Sequence, residues 1–277
     1  MPTVQTAPDL QTWYQIDDFT DPWTEAPWIV LMHGVADNSD AWYAWVPHLA
    51  RRYRVLRFDV RGFGRSSPMP RDYEWPLDRI GDDLLALTDH LDIRNFHLIA
   101  AKVGGTMALH FASRRPHSLR SLSVLGTPVV TAAAADSGYS SQEIDERGVG
   151  YWARRTMRQR LGTAMPAEAH EWWARMMEKT PASTQSGFMR VLPTIDVRPL
   201  LPRITCPTLV ITTGDPNNAA QNITGVESTK AWQRTIPNSE FLVIANDSFH
   251  VAATAPDKAA QAVLNFIDRH EPAASGN

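Results

Sequence analysis

The sequence predicts an α/β protein with a mostly parallel central sheet and helices on both faces of that sheet. Six short runs rich in Val, Ile and Leu, with little polar alternation, are typical of parallel strands buried on both faces. Amphipathic segments typical of helices lie between them, which favours repeated strand–helix units. The predicted strands are 28–34, 53–60, 96–101, 119–126, 207–214 and 240–246, and the predicted helices are 40–51, 77–91, 103–115, 228–236 and 257–269. We expect the segment TWYQIDDF (12–19) to add an antiparallel edge strand.

A long segment without a strand pattern interrupts this alternation. Residues 135–200 contain helical stretches rich in Trp and Met, which predicts a helical cap inserted between two parts of the core, 1–134 and 201–270. Apolar stripes at helical spacing are usually core, so most of these side chains should pack within the insertion. We expect Trp152 and Trp173 to line a substrate pocket beneath it. The tail 271–277 is expected to be disordered.

Length, charge and cysteine content limit the possible function classes. A chain of 277 residues fits one large domain, or one domain with an inserted subdomain. The net charge of −3 provides no basic field for nucleic acid or anionic lipid. The single cysteine, Cys206, excludes an intrachain disulfide and fits a reducing cytoplasm. No signal peptide, membrane span, metal-ligand cluster or cofactor motif is evident in the sequence. We therefore expect a cytoplasmic protein that acts on a small-molecule substrate. A homodimer is compatible with the sequence.

Three short motifs follow predicted parallel strands and should therefore meet at one edge of the sheet. HGV (33–35) follows the first buried strand, AKVGG (101–105) follows the third, and SFH (248–250) follows the last. In open α/β sheets, ligands bind in the crevice at the carboxyl ends of the strands. We expect the three motifs to form one site.

These motifs, together with DVRGFGRSS (59–67) and LPRITCPTLVI (201–211), resemble the capped, esterase- and lactonase-like branch of the α/β-hydrolase fold. The resemblance extends over nearly the whole chain, in the order and spacing of that family. It implies an oxyanion hole formed by the backbone N–H groups of Val35 and Val103, with Gly34 beside the substrate and His250 as general base. Such converging amides stabilise negative charge that develops on a carbonyl oxygen.

The chain departs from the family pattern at two catalytic positions. The family carries G-x-S-x-G at the turn after the third strand, whereas this chain reads AAKVG (100–104), with Lys102 at the serine position. The acid that orients the histidine is expected three residues after Gly214, where Asn217 stands. Asp215 is the alternative if the loop is shifted. Both departures argue against a conventional serine relay.

The chemistry of an amine limits what Lys102 can do. Acylation by an ester or lactone would leave an amide, which resists hydrolysis and would stop a serine-type cycle. Amines instead form Schiff bases, act as bases when neutral, or bind anions when charged. The first two roles need a pKa lowered from about 10.4 toward 7, a cost of roughly 4.6 kcal/mol. A helix N-terminus supplies only ~0.3–1 kcal/mol of this, so burial beneath the cap would have to supply the rest.

The leading hypothesis is an enzyme that acts on a small carbonyl compound through Lys102 and His250, with Asn217 or Asp215 orienting the histidine. The reaction types that fit are C–C cleavage, β-keto acid decarboxylation and elimination. One alternative is a hydrolase in which His250 activates water and Lys102 binds a substrate carboxylate. Two further alternatives are a non-catalytic ligand-binding protein and an inactivated esterase or lactonase.

Overall fold

Eight strands form one sheet in the computed structural model, which describes residues 2–131, 141–214 and 225–271. The strand order is β1-β2-β4-β3-β5-β6-β7-β8; β1 and β2 are antiparallel to their neighbours and the other pairings are parallel. All six predicted parallel strands are confirmed. The strands are β1 (Thr3–Ala7), β2 (Leu10–Asp17), β3 (Trp28–Met32), β4 (Arg54–Phe58), β5 (Phe96–Ala101), β6 (Leu119–Leu125), β7 (Thr208–Thr213) and β8 (Ser239–Ile244).

The predicted edge strand occupies a different position in the sheet. TWYQIDDF forms most of β2, which is antiparallel as expected but pairs with β4 on one side and β1 on the other. The edge is therefore β1. This strand is short and only its last residue, Ala7, is buried, so it lacks the continuous apolar pattern by which buried strands are recognised.

Nine α-helices surround the sheet in the described residues. The predicted helix 40–51 is divided into a 3₁₀ turn, Ser39–Trp42, and a short α-helix that begins beside Pro47, whose missing N–H is tolerated only in a first helical turn. The helices are α1 (Val46–Leu49), α2 (Leu77–His90), α3 (Val103–Arg114), α4 (Ser141–Leu161), α5 (Ala167–Glu178), α6 (Ala182–Val191), α7 (Val226–Gln233), α8 (Val251–Thr254) and α9 (Pro256–His270). None of them is long and apolar enough to cross a membrane.

The sheet separates two apolar layers. Alternate residues of β3 point to opposite faces, so Val30 and Met32 belong to one layer while Ile29 and Leu31 belong to the other. The first layer includes side chains of α2, α3 and the helices that follow β6, and the second includes side chains of α1 and α9. The strand ends that carry the three motifs are thus held between two packed layers.

Helices α4, α5 and α6 lie between β6 and β7, as the sequence predicts. The chain leaves and re-enters the sheet side by side: Val130 and Asp196 form an antiparallel bridge, and Val197 N–H donates to the Val129 carbonyl. Trp173, Met176 and Met177 are buried, in agreement with a core within the insertion. The predicted boundary at 134/135 and residues 272–277 of the tail lie outside the described residues, so the exact division into core and cap stays a prediction.

Candidate active site

Lys102 occupies a strained turn between β5 and α3. Its φ of 55° and ψ of −129° lie in a region that non-glycine residues rarely adopt and that often marks functional sites. The turn is held by Lys102 N–H, which donates to the Leu125 carbonyl at 2.9 Å. It also packs tightly, because a Cβ on Gly104 would lie 2.2 Å from the His33 carbonyl oxygen. The backbone geometry of the predicted elbow is therefore present, with a lysine at its apex.

A buried carboxylate lies between the amine of Lys102 and the imidazole of His250. Asp37 Oδ2 is 3.4 Å from Lys102 Nζ and 3.5 Å from His250 Nε2. All three side chains are at least nine-tenths buried. The structure thus joins Lys102 and His250 through Asp37, a residue that the sequence analysis missed.

A sequence signal for Asp37 was available. The residue lies four positions after His33, in the loop that follows the buried strand β3. The HGV motif itself points only to backbone amides in this loop. A carboxylate at the carboxyl end of a parallel strand is nevertheless a candidate for the same crevice as the elbow.

Burial determines the protonation states of the three groups. Burial lowers the pKa of Lys102 to about 8, against the attraction of Asp37, and the charge of Arg160 lowers it further. Burial and the Lys102 cation together lower the pKa of His250 to about 4. Burial disfavours the Asp37 anion, but Lys102 and His250 outweigh it and hold the pKa of that carboxyl well below its usual range. Near pH 7 the site therefore holds a carboxylate, a neutral imidazole and an amine of which roughly a tenth is neutral.

The loop carrying His250 is hydrogen-bonded to the end of α4. Ser248 Oγ accepts from His250 N–H at 2.8 Å and donates to the Arg160 carbonyl at 2.6 Å. Asp247 accepts from both the N–H and the hydroxyl of Thr163, at 2.8 and 2.7 Å. The insertion therefore fixes the backbone that positions His250.

The two tryptophans predicted to line the pocket contact charged or titratable groups of the site. The Trp173 ring packs edge-on against the His250 imidazole, with centroids 4.9 Å apart. The Arg160 guanidinium lies 4.5 Å from the Trp152 ring centroid, and Arg160 Nε donates to Thr156 Oγ1 at 3.0 Å. Trp173 thus adjoins the histidine, while Trp152 supports an arginine whose field reaches Lys102 and His250.

The loop with the predicted oxyanion donor Val35 packs directly against the elbow. A Cβ on Gly34 would lie 3.1 Å from both Lys102 Cβ and Asp37 Oδ2, so the small residue permits this approach. Val103 is the first residue of α3, and its N–H has no acceptor within the helix. The two segments are in contact as the sequence predicts, and the role of their amides as an oxyanion hole stays a prediction.

His33 has a structural role. Its Nε2 accepts from Val60 N–H at 2.9 Å, and its Nδ1 lies 2.7 Å from the Gly34 carbonyl oxygen, to which it donates in this tautomer. Burial lowers the pKa of His33. Both ring nitrogens are thus occupied in bracing the loop.

Comparisons with known proteins agree with this architecture. A family model described as the alpha/beta hydrolase fold matches residues 27–164. The structure also superposes on an enol-lactonase from Burkholderia xenovorans LB400 with a TM-score of 0.84 and 19% identity, over 96% of this chain and 100% of that one. The chain has the α/β-hydrolase fold.

The sequence relatives differ in how much of their own length is matched. The 3-oxoadipate enol-lactonase 1 of Acinetobacter baylyi is 24% identical over 87% of this chain and 89% of its own length. The dihydrolipoyllysine-residue acetyltransferase component of the acetoin cleaving system of Pseudomonas putida is 34% identical, but over 36% of this chain and only 26% of its own length. The first relative is matched along nearly its whole length, the second along about a quarter.

The acid that would orient His250 in this α/β-hydrolase fold is not located by the structure. Asn217 and Asp215 both lie outside the described residues, so their roles stay predictions. His250 Nδ1 has no hydrogen-bond partner within the described segments. The identified carboxylate, Asp37, lies on the Nε2 side of the ring instead.

The described residues contain no group of three or more His, Cys, Asp or Glu side chains arranged to hold a metal ion. A cleft of about 400 Å³ lies elsewhere, between the Thr127–Val130 segment, Leu201 and α7. Lys102, Asp37 and His250 do not line this cleft, so it is a feature separate from the candidate site.

The lowered pKa of His250 predicts a loss of stability in acid. Unfolded histidine binds a proton near pH 6.5, whereas folded His250 does so only near 4, so its contribution to stability falls as the pH is lowered through this window. A shift of this size corresponds to about 3 kcal/mol. The free energy of unfolding, measured in urea at pH 7, 5.5 and 4.5, should fall more steeply with decreasing pH for the wild type than for His250→Gln. A His90→Gln control, at an exposed position, should show the same dependence of unfolding free energy on pH as the wild type. If the wild type and His250→Gln show equal dependence on pH, this interpretation is contradicted.

Proposed function

We propose that this α/β-hydrolase-fold protein is an enzyme that acts on a small carbonyl compound through the amine of Lys102, without a serine acyl-enzyme. The reaction that fits best is C–C bond cleavage of the β-keto acid decarboxylation type. The observation that carries the proposal is the buried Asp37 carboxylate, 3.4 Å from Lys102 Nζ. It makes the site electrostatically complementary to a cation at that nitrogen.

Charge balance favours an imine over an acyl intermediate. If Lys102 were acylated, the resulting amide would be neutral and would leave Asp37 as an uncompensated buried anion, at a cost of about 3–5 kcal/mol. A protonated Schiff base keeps one positive charge on the same nitrogen and preserves the pair. The site therefore stabilises the iminium ion relative to the amide.

The reaction can be written with the groups present. The neutral Lys102 amine adds to the ketone carbon, and the N–H groups of Val35 and Val103 stabilise the developing oxyanion. Loss of water gives the iminium ion beside Asp37. The bond to the carboxylate carbon then breaks, its electron pair flows to the iminium nitrogen, and carbon dioxide leaves an enamine. Protonation at carbon and hydrolysis by water release the ketone and regenerate the amine. His250, neutral near pH 7 because its pKa is about 4, accepts and returns the protons.

Borohydride trapping tests the covalent step. Incubation with acetoacetate and sodium borohydride should reduce the iminium ion to a stable secondary amine, detectable as a mass adduct. Peptide mapping should assign the adduct to Lys102 and not to Lys179, Lys230 or Lys258, the other lysines of the chain. The adduct should be absent from Lys102→Met. If the intact protein turns over acetoacetate without any Lys102 adduct, the amine is not the nucleophile.

A second candidate is a hydrolase in which His250 activates water and the Lys102 ammonium binds a substrate carboxylate. The name of the Acinetobacter baylyi relative, an enol-lactonase, favours this hydrolytic hypothesis. It predicts that one oxygen from labelled water enters the acid product and that borohydride leaves no adduct. In the imine route, by contrast, the oxygen of labelled water enters the ketone product, no new acid is formed, and borohydride leaves an adduct on Lys102.

A further inference from the structure

The cleft beside α7 lies at the base of the helical insertion, and we call it the basal cleft. Its volume is about 400 Å³, which falls within the range of about 300–1,000 Å³ that small-molecule sites occupy. Three segments line it: Thr127–Val130, where the chain leaves the sheet; Arg198 and Leu201, where it returns; and part of α7 with the residues that follow it. The reaction proposed for Lys102 makes no use of this space.

The floor of the basal cleft is buried and mostly apolar. Val129, Leu201 and Trp232 line the cleft and are 6%, 1% and 7% exposed. The wall at Pro128 is held in place, because Thr106 Oγ1 on α3 donates to the Pro128 carbonyl at 2.6 Å. Apolar surface in an open cleft stays in contact with water, so a ligand that covers it gains the free energy of removing that surface from water.

Hydrogen-bonding groups surround this apolar floor. Arg198 donates to Asp196 through Nε at 3.0 Å and through Nη2 at 2.6 Å, which leaves Nη1 without an acceptor in the described part of the chain. Thr127 and Ser228 add hydroxyl groups to the lining. A ligand that carries a carbonyl oxygen would therefore find a donor for it at the edge of the cleft.

The charge at this edge is compensated. Arg198 is the charged residue of the lining, and Asp196 neutralises it in an ion pair of 2.6 Å. The pair therefore offers hydrogen-bond donors without a net charge. A ligand with a carboxylate would lose its hydration and find no unmatched cation in return, so the lining favours an uncharged molecule.

We propose that the basal cleft binds an uncharged aromatic molecule with a hydrogen-bond acceptor, such as an amide oxygen. The aromatic ring lies against Trp232, where offset or edge-to-face contacts add to the burial of apolar surface. The acceptor receives a hydrogen bond from Arg198 Nη1. Because the ligand contacts both connections of the insertion as well as α7, it ties the insertion to the core and stabilises the folded state through binding.

Acetanilide is a suitable probe, because it is uncharged and aromatic and, as an amide, does not form an imine with Lys102. Ligand-observed NMR should show saturable binding with a Kd on the order of 1 mM, and saturation should raise the midpoint of thermal unfolding. Ala231→Phe places a ring in the cleft from an exposed position of α7 and should weaken binding roughly tenfold. Arg198→Met should weaken it roughly fivefold. Ala167→Phe, the same change at an exposed position of α5 outside the cleft, should keep the wild-type Kd.

A charged analogue tests the class of ligand. The compound 4-acetamidobenzoate adds a carboxylate to the same ring and should bind more weakly than acetanilide, because Asp196 already compensates Arg198. Tighter binding of the carboxylate would overturn the assignment of an uncharged ligand. The proposal is also overturned if the wild type shows no saturable binding, or if Ala231→Phe binds acetanilide as the wild type does. None of these measurements uses turnover, so their outcome is independent of the reaction proposed for Lys102.

Discussion

Replacing Lys102 with methionine should abolish imine formation, lower kcat/KM for β-keto acid cleavage by about 10⁴-fold, and destabilise the fold by about 3 kcal/mol. Methionine fills a similar volume, so the loss does not come from an empty cavity. It comes from Asp37, a carboxylate whose side chain is 1% exposed and which would lose the cation 3.4 Å away. Urea unfolding at pH 7 measures the stability, and initial rates with acetoacetate measure the activity.

The double variant Asp37→Asn/Lys102→Met distinguishes the electrostatic cause from a packing defect. Without the carboxylate there is no uncompensated charge, so most of the lost stability should return while activity stays absent. Lys230→Met, at a helical position outside the site, should match the wild type in both measurements. If the double variant is no more stable than Lys102→Met, the loss comes from packing rather than from the unpaired carboxylate.

The architecture of the sheet and elbow could be predicted because each depends on local sequence. Buried parallel strands are continuous apolar runs, and the segment LIAAKVGG carries both the strand and the glycines that the turn requires. The structure also supplies the burial that a lowered lysine pKa requires, since only 5% of Lys102 is exposed. The edge strand β1 was missed because a short exposed strand has no such pattern.

The electrostatics of the site could not be predicted in the same way, because they depend on distant segments. Asp37 and Lys102 are 65 positions apart in the sequence, and only the paired strands β3 and β5 bring their loops together. Arg160 comes from α4, in the insertion, yet its charge lowers the pKa of both Lys102 and His250. The sequence indicated that burial would have to lower the lysine pKa, but not that a carboxylate would oppose this shift.

The pH dependence of the reaction should separate the amine mechanism from the hydrolytic one by the sign of its slope. If the neutral Lys102 amine attacks, kcat/KM should rise about tenfold per pH unit below the pKa of about 8 and level off above it. If the ammonium serves as a clamp, kcat/KM should fall above the same pKa. Rates measured from pH 5.5 to 9.5 with the wild type are sufficient to distinguish the two.

The variant Asp37→Asn assigns the titrating group. The Asp37 carboxylate raises the pKa of Lys102, against burial and Arg160, which lower it. Removing the negative charge should therefore move the rising limb of kcat/KM to lower pH, although the iminium ion loses its counterion and the plateau value falls. A group remote from Asp37 would titrate at the same pH in both enzymes. If the rising limb of kcat/KM lies at the same pH in Asp37→Asn and in the wild type, Lys102 is excluded as the titrating nucleophile. This holds even if the Lys102→Met variant is inactive, because inactivity alone does not distinguish a nucleophile from a clamp.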